Sequence, residues 1–275
     1  MRIILYLLLF LAFGGCAKNP ARENVDGWVI SISPDSEKIL VLQKSNDVRE
    51  LVVTKADNFT PVFRKMIGNP IFLEATFISD NEILVVSDSI DFQVINVFNS
   101  KSRFVNDLDG IRPSLLHADY ENEVLYLIDS GIHSVESKIF KFFLGTGQLE
   151  VYAISKNLNW VFGIAPKSKN ELYANVNGFL SILNLETGDI SQLSNQESET
   201  IDIGESTINL FAAKQKLLFS IPAKEIVEYD LNNGRMKVLP KFGGFLYPRL
   251  SPNENFFFAN NGNKAPFHSK WFKFN

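Results

Sequence analysis

The feature that most constrains this fold is a pair of short apolar runs joined by a polar turn, which returns about every 44 residues. The first copy has the turn Ser33-Pro34-Asp35-Ser36, followed by the apolar run 39–42. Six such turns occupy residues 33–36, 79–82, 119–122, 166–170, 213–216 and 251–255, and the runs after them occupy 39–42, 82–86, 124–128, 171–174, 217–221 and 256–259. Near-continuous apolarity predicts strands that are covered on both faces.

A second marker runs at the same period. Short turns rich in Gly, Asn and Ser separate alternating runs at residues 57–58, 99–102, 145–147, 186–189 and 232–234. Gly and Asn supply the positive φ that tight hairpins need. Each unit therefore reads as strand, polar turn, buried strand, variable loop, strand, hairpin turn, strand.

Six repeats of four antiparallel strands predict an all-β fold, a six-bladed β-propeller covering residues 27–275. A β-sandwich and a right-handed β-helix remain as alternatives. The Ser-Pro-Asp turn at Ser33 and the Ser-Pro-Asn turn at Ser251 resemble the repeats of TolB-like, WD-type and other six-bladed bacterial propellers. That resemblance spans nearly all of the chain after its N-terminus, and it implies a fold without implying a chemistry.

The last repeat stops at its third strand, within residues 269–275. The segment before Trp28 could supply the missing outer strand and so close the ring. Residues 22–26 are poor strand formers, however, so a final blade of three strands is the other interpretation.

The N-terminus has the pattern of an export signal. Met1-Arg2 precedes the apolar residues 3–13 and Gly14-Gly15-Cys16, and Cys16 is the one cysteine of the chain. The apolar stretch is too short to span a bilayer as a helix. Gly14-Gly15-Cys16 resembles the lipobox of bacterial lipoproteins, which implies a signal peptide at 1–15, acylation of Cys16 and a lipidated tether at 16–26. The alternative is a plain secretory signal with a chance cysteine.

The lipoprotein resemblance also implies a location. Ala17, rather than Asp, after the cysteine favours passage to the outer membrane in Gram-negative bacteria. We therefore expect a protein of the bacterial cell envelope, held on the membrane by acylated Cys16 and facing the periplasm or the cell surface. Nucleic acid is not an expected partner, since the net charge is -4 and no basic run is present.

Catalytic and cofactor motifs are weak. His117, His133 and His268 fall in three different repeats without a neighbouring ligand, so the pattern predicts neither a metal site nor a cofactor. Gly145-Thr146-Gly147 precedes no helix that could bind phosphate, and no G-x-S-x-G elbow occurs. The sequence leans away from an enzyme.

Binding residues are expected where the loops after the second and fourth strands of each blade meet on one face. The candidates include residue types that are enriched in binding hot spots. They are Arg112, Trp160, Phe245, Tyr247 and Arg249. The acidic segment 196–202 on the same face could dock a basic surface or be a solvated loop. The first strands, which line the channel of a propeller, read as mostly apolar.

These observations predict a monomeric, non-catalytic, lipid-anchored propeller that binds a protein or peptide partner in the cell envelope. The analogy with TolB-like and assembly-factor propellers is one of fold alone. The alternative is a metal-dependent lactonase or another small-ligand propeller. Several carboxylates and amides converging at one end of the channel would favour that alternative.

Overall fold

The computed structural model describes residues 24–45, 48–70, 72–88, 90–108, 111, 113, 115–129, 138–153, 161–222, 225–239, 246–261 and 268–274. These residues form six four-stranded antiparallel sheets. The first strands of the sheets contact one another in a closed ring. The protein is thus the predicted six-bladed β-propeller, and the sandwich and β-helix alternatives are wrong.

The strands follow the chain in blade order. Strand β1 (Asn24–Asp26) comes first, and blade 1 follows with β2 (Trp28–Ile32), β3 (Lys38–Ser45), β4 (Val48–Lys55) and β5 (Pro61–Gly68). Blade 2 has β6 (Leu73–Ser79), β7 (Glu82–Ser87), β8 (Ile90–Asn96) and β9 (Ser102–Phe104), followed by a short 3-10 helix (Asn106–Leu108). Blade 3 has β10 (Leu115–Asp119), β11 (Val124–Asp129), β12 (Lys138–Phe143) and β13 (Leu149–Ala153).

The second half repeats this plan. Blade 4 has β14 (Val161–Ser168), β15 (Glu171–Val176), β16 (Phe179–Asn184) and β17 (Ile190–Gln192). Blade 5 has β18 (Asn209–Phe211), β19 (Lys216–Ile221), β20 (Glu225–Asp230) and β21 (Met236–Val238). Blade 6 has β22 (Leu246–Leu250), β23 (Phe256–Asn260) and β24 (His268–Lys273), with β1 as its outer strand.

The core lies between successive blades. All six apolar runs that follow the polar turns lie in second strands, as predicted, and their side chains are largely buried. Several of the largest buried side chains are rings, including Phe77, Phe211, Phe219 and Phe257. Flat rings bury a large area between stacked sheets, which accounts for the heavy use of Phe.

Two faces of the ring differ in their connections. One face carries the polar turns after the first strands and the hairpin turns after the third strands, and we call it the first-turn face. We call loop face the opposite one, where the loops after the second and fourth strands lie. Most of the loops that the sequence assigned to the loop face fall at least partly outside the described residues.

The N-terminal segment closes the ring. Strand β1 pairs with β24 in the register Asn24↔Lys270, Val25↔Ser269 and Asp26↔His268. The three-stranded interpretation of blade 6 is therefore wrong. Strand β1 lies inside the segment 16–26 that the sequence assigned to the tether. Poor strand propensity is overridden because Val25, 4% exposed, fills a place in the core.

Buried polar contacts stabilise the junction between blade 6 and blade 1, which we call the closing seam. The Ser269 hydroxyl oxygen accepts a hydrogen bond from the Val29 amide at 2.8 Å, and the hydroxyl lies 2.8 Å from the Gly27 carbonyl. Gly27 has a φ of 112°, and a Cβ there would lie 2.6 Å from Val41 Cγ1 and 2.7 Å from the Leu42 carbonyl oxygen. Only glycine fits where the chain passes from blade 6 to blade 1.

Two remaining sequence predictions concern the N-terminus. Cys16 and the proposed signal peptide lie outside the described residues, so lipidation stays a prediction. Within the described part of the chain, none of the helical segments has the length and apolarity needed to cross a bilayer.

Candidate functional site

The candidate site is a cavity of about 830 Å³ on the propeller axis, which extends to the first-turn face. All six blades contribute to its wall through their first strands or the segments before them. Representative lining residues, one for each blade in order, are Ile30, Thr76, His117, Ile164, Asn209 and Arg249. The volume is within the range of ligand sites, and concave sites of this size are the usual place for binding. The sequence had placed binding on the opposite, loop face.

A groove leads from the axis outward along blade 3. His117, Tyr126, Lys141 and Glu150 stand in register on four adjacent strands, from β10 to β13, and all four line the cavity. Directly paired residues of an antiparallel sheet project from the same side. We call this set the blade 3 row. It forms a continuous strip of polar side chains from the channel to the outer strand.

Lys141 is the least expected member of the row, because it is only 5% exposed. Its Nζ lies 3.4 Å from the Lys169 carbonyl oxygen on blade 4. The same atom lies 5.3 Å from the ring centre of Phe143 and 5.9 Å from that of Tyr126. Ring faces attract a cation, and they hold the ammonium group between the two blades.

Arg249 on β22 is the second cation inside the cavity. Its Nε is buried and has no hydrogen-bond partner in the described part of the chain. The ion pairs that the described residues form do not include Arg249. Burial lowers the pKa of the guanidinium, and the nearby Glu74 carboxyl partly offsets that effect.

Two other ionisable groups, on the first strands of blades 2 and 3, interact with the charge of Arg249 across the channel. Burial raises the pKa of Glu74 on β6 to about 8, against the attraction of Arg249 and a hydrogen bond from the Leu116 amide. Burial lowers the pKa of His117 on β10 to about 4, with Asp119 opposing that shift and Arg249 adding to it. At neutral pH the channel therefore holds a largely protonated carboxyl, a neutral imidazole and a guanidinium cation.

Other polar groups of the inner wall are matched by partners. Asn209 Nδ2 donates to the Pro248 carbonyl at 2.8 Å, and its Oδ1 accepts from the Leu250 amide at 3.0 Å. Tyr120 reaches across from blade 3 and donates to the Ile32 carbonyl oxygen at 3.0 Å. Such bonds tie the first strands of different blades together.

The five predicted binding residues have different outcomes. Arg112, Trp160 and Phe245 lie outside the described residues. Tyr247, the second residue of β22, has a left-handed conformation with φ of 53°, and its amide donates to Ser220 Oγ at 3.4 Å. Arg249 lines the cavity, inside the channel rather than on the loop face.

The acidic segment is tied to blade 4 at its end. Asp202 forms an isolated bridge with Phe179, and Ile201 beside it is 3% exposed. Glu197 and Glu199 remain on the surface. Its three carboxylates, Asp202 included, are therefore exposed to solvent, while Ile201 belongs to the core.

The expectation of a mostly apolar channel is incomplete. Glu74, His117 and Arg249 each stand alone in an apolar run, and the three lie on blades 2, 3 and 6. Asn209 adds an amide. The sequence signal that could have identified Glu74, His117 and Arg249 as channel residues is a charged or titratable residue flanked by apolar neighbours in a predicted first strand. Within the described residues, no cluster of three or more His, Cys, Asp or Glu side chains could hold a metal ion.

Comparisons with known proteins give a fold without a family. No protein-family model matches the chain, and no curated protein matches it. Among solved structures it is similar to TolB from Acinetobacter baumannii, with a TM-score of 0.57 and 13% sequence identity. The match covers 86% of this chain and 63% of that one. At this identity the similarity supports the shared propeller fold alone.

Proposed function

We propose that this protein is a non-catalytic, lipid-anchored β-propeller that binds a protein or peptide partner in the bacterial cell envelope. The partner would insert an extended segment into the axial cavity and the groove along the blade 3 row. The observation that carries this proposal is the lining of the site, which extends from the first strands of all six blades to Glu150 on the outer strand of blade 3.

The dimensions of the groove suit an extended peptide. The blade 3 row crosses four adjacent strands, and neighbouring strands lie about 4.8 Å apart, so it is about 14 Å long. An extended chain rises about 3.3 Å per residue. A segment along the row would therefore be about four residues long, and it would displace the contact of Lys141 with blade 4, since Tyr126 and Lys141 are 2% and 5% exposed.

The strand polarity bears on how an acylated Cys16 would orient the site. Strand β1 is the outer strand of blade 6 and leads through Gly27 into the first strand of blade 1. Its first residue, Asn24, therefore lies at the first-turn face. The seven residues 17–23 reach at most about 25 Å. Lipid on Cys16 would hold the cavity mouth close to the membrane, facing partners that lie at its surface.

Site-directed crosslinking in native membranes tests the proposal. A photoreactive residue would replace Lys169, which is exposed beside the groove, and in a matched control it would replace Lys237 on the outer strand of blade 5. We expect one envelope protein, near one-to-one, from position 169 and not from position 237. Equal yields from both positions, or the chain alone from both, would contradict the proposal.

A second candidate function is the binding of a small molecule in the axial part of the cavity. It is favoured by the convergence of His117, Asp119 and Arg249 on the cavity wall. In this case no crosslinked partner is expected from position 169. The occupant would bind the purified protein directly.

A further inference from the structure

We propose that Arg249 is an anchoring site for a carboxylate group of the ligand. The proposal rests on the proposed function and deepens it, since it assigns the chemistry at the inner end of the same groove. It starts from an atom that the fold leaves without a partner.

The first argument is the unmatched guanidinium. Arginine always carries its charge in proteins, and its planar fork of N–H donors matches a carboxylate with two parallel hydrogen bonds. In the described part of the chain, Nε of Arg249 is buried and has no acceptor. A buried donor without an acceptor is costly, so native proteins rarely keep one. Arg249 also lines the cavity, so a carboxylate that enters it can pair with the guanidinium group.

The second argument excludes Glu74 as the internal partner. The two groups attract each other, but no ion pair between them occurs among the described contacts. The Leu116 amide donates to the Glu74 carboxyl, which holds that group toward blade 3. The guanidinium charge is therefore left for a group that enters the cavity.

The third argument concerns the charge of the ligand. The lining includes the cations Lys141, Lys167, Lys169 and Arg249 and the carboxylates Asp119, Glu121, Glu150 and Glu254. Four charges of each sign leave no excess for a dianion. The cavity therefore suits a single negative charge placed at Arg249, which describes a carboxylate better than a phosphate.

The fourth argument is position. His117, which feels the charge of Arg249, is the innermost member of the blade 3 row. A peptide that places its carboxylate at Arg249 would therefore pass His117 as it leaves the axial part of the cavity. The carboxylate is the C-terminus of such a peptide or an acidic side chain, and the experiment separates the two.

The test uses the full chain in detergent and a fluorescein-labelled pool of random tetrapeptides, made with a free C-terminal carboxylate or with a C-terminal amide. Fluorescence anisotropy should show the acid pool binding at least tenfold more tightly than the amide pool. The substitution Arg249→Met should reduce binding of the acid pool to the level of the amide pool. Arg249→Lys, which keeps the charge and loses the fork, should fall between the two.

Competition identifies the source of the carboxylate. An unlabelled tetrapeptide amide that ends in glutamate should compete if side-chain carboxylates are accepted. Failure of that peptide to compete assigns the site to a C-terminus. Both outcomes support a carboxylate site. Equal binding of the acid and amide pools overturns it, as does unchanged binding by Arg249→Met, or inorganic phosphate that competes better than acetate.

Thermal unfolding tests the carboxylate site at Arg249 separately from the peptide-binding function. Acetate should raise the Tm of the wild type and leave that of Arg249→Met unchanged. If acetate does so while neither peptide pool binds, the carboxylate site stands and the peptide-binding function fails. If a crosslinked partner is recovered equally with wild type and Arg249→Met, the function stands and the carboxylate site fails.

Discussion

Asn209 and Arg249 are two polar side chains on neighbouring first strands, and they differ in their hydrogen bonding. The Asn209 amide bridges β18 and β22 through the Pro248 carbonyl and the Leu250 amide. Arg249 lies between those two residues in sequence, yet its buried Nε bonds to no described group.

The contrast separates two uses of polar groups in one wall. Asn209 satisfies backbone groups where two first strands are not joined by a regular ladder, so it belongs to the framework. Burial of Arg249 costs desolvation that the attraction of Glu74 offsets only in part. A fold retains such a residue for a reason outside its own stability, which is why we assign it to a ligand.

The largest effect should come from removing the framework amide. Asn209→Ala leaves the Leu250 amide without this partner and the Pro248 carbonyl with the Thr207 hydroxyl alone, and we expect a loss of about 3 kcal/mol. This corresponds to a fall in Tm on the order of 10 °C. Arg249→Met should leave the Tm unchanged or raise it. Asn233→Ala, at an exposed hairpin, is the control for amide removal. A Tm that falls further for Arg249→Met than for Asn209→Ala would invert the comparison.

The closing seam extends the comparison to a second framework group. Ser269→Ala removes the acceptor of the Val29 amide and the one hydroxyl proton available to the Gly27 carbonyl and Asn260 Oδ1, so we expect a loss of about 2 kcal/mol in urea unfolding. Ser181→Ala is a matched control, because Ser181 is also buried but makes one described bond, at 3.2 Å. Equal losses of unfolding free energy in Ser269→Ala and Ser181→Ala would show that the Ser269 hydroxyl stabilises the closing seam no more than the Ser181 hydroxyl stabilises blade 4.

The pH dependence of stability tests the groups that face Arg249. Glu74 has a raised pKa of about 8, so its contribution is complete below pH 4.5 and is lost as pH rises through 8. His117 has a lowered pKa of about 4, so its contribution is complete above pH 6.5 and is lost as pH falls through 4. Urea unfolding from pH 4 to 9 should show that Glu74→Gln removes most of the alkaline loss of stability. His117→Asn should reduce the acid loss. Profiles identical to that of the wild type would place both groups in contact with bulk water.

The smallest effect concerns the outer part of the groove. Lys141→Met should change the Tm by no more than about 2 °C, since Lys141 has one long hydrogen bond to give up. It should weaken the tetrapeptide acid pool about threefold, because cation–ring contacts with Tyr126 and Phe143 order the groove. Lys216→Met, which removes the ion pair with Glu228 on blade 5, is the control. A lower Tm with unchanged affinity would assign Lys141 to the framework.

The repeat architecture was accessible from the sequence because it is written in local patterns. Each apolar run predicts one strand, and each short segment rich in Gly, Asn or Ser predicts one hairpin turn. The turn of residues 186–189, between β16 and β17, is a typical case. The site was accessible only in part. Arg249 was selected for its residue type but assigned to the wrong place, and Glu74 and His117 were not combined with it, since they come from three blades.

The sequence by itself determined the number of blades, the order of their strands and the position of the polar turns, because these depend on neighbouring residues. The tertiary structure decided which strand closes blade 6, since Val25 becomes a strand residue only when Ser269 and the core of blade 1 are beside it. It also decided the chemistry of the channel. Closing the ring brings Glu74, His117 and Arg249 together from distant parts of the chain and withdraws them from bulk water, and that burial creates their altered pKa values and the unmatched charge.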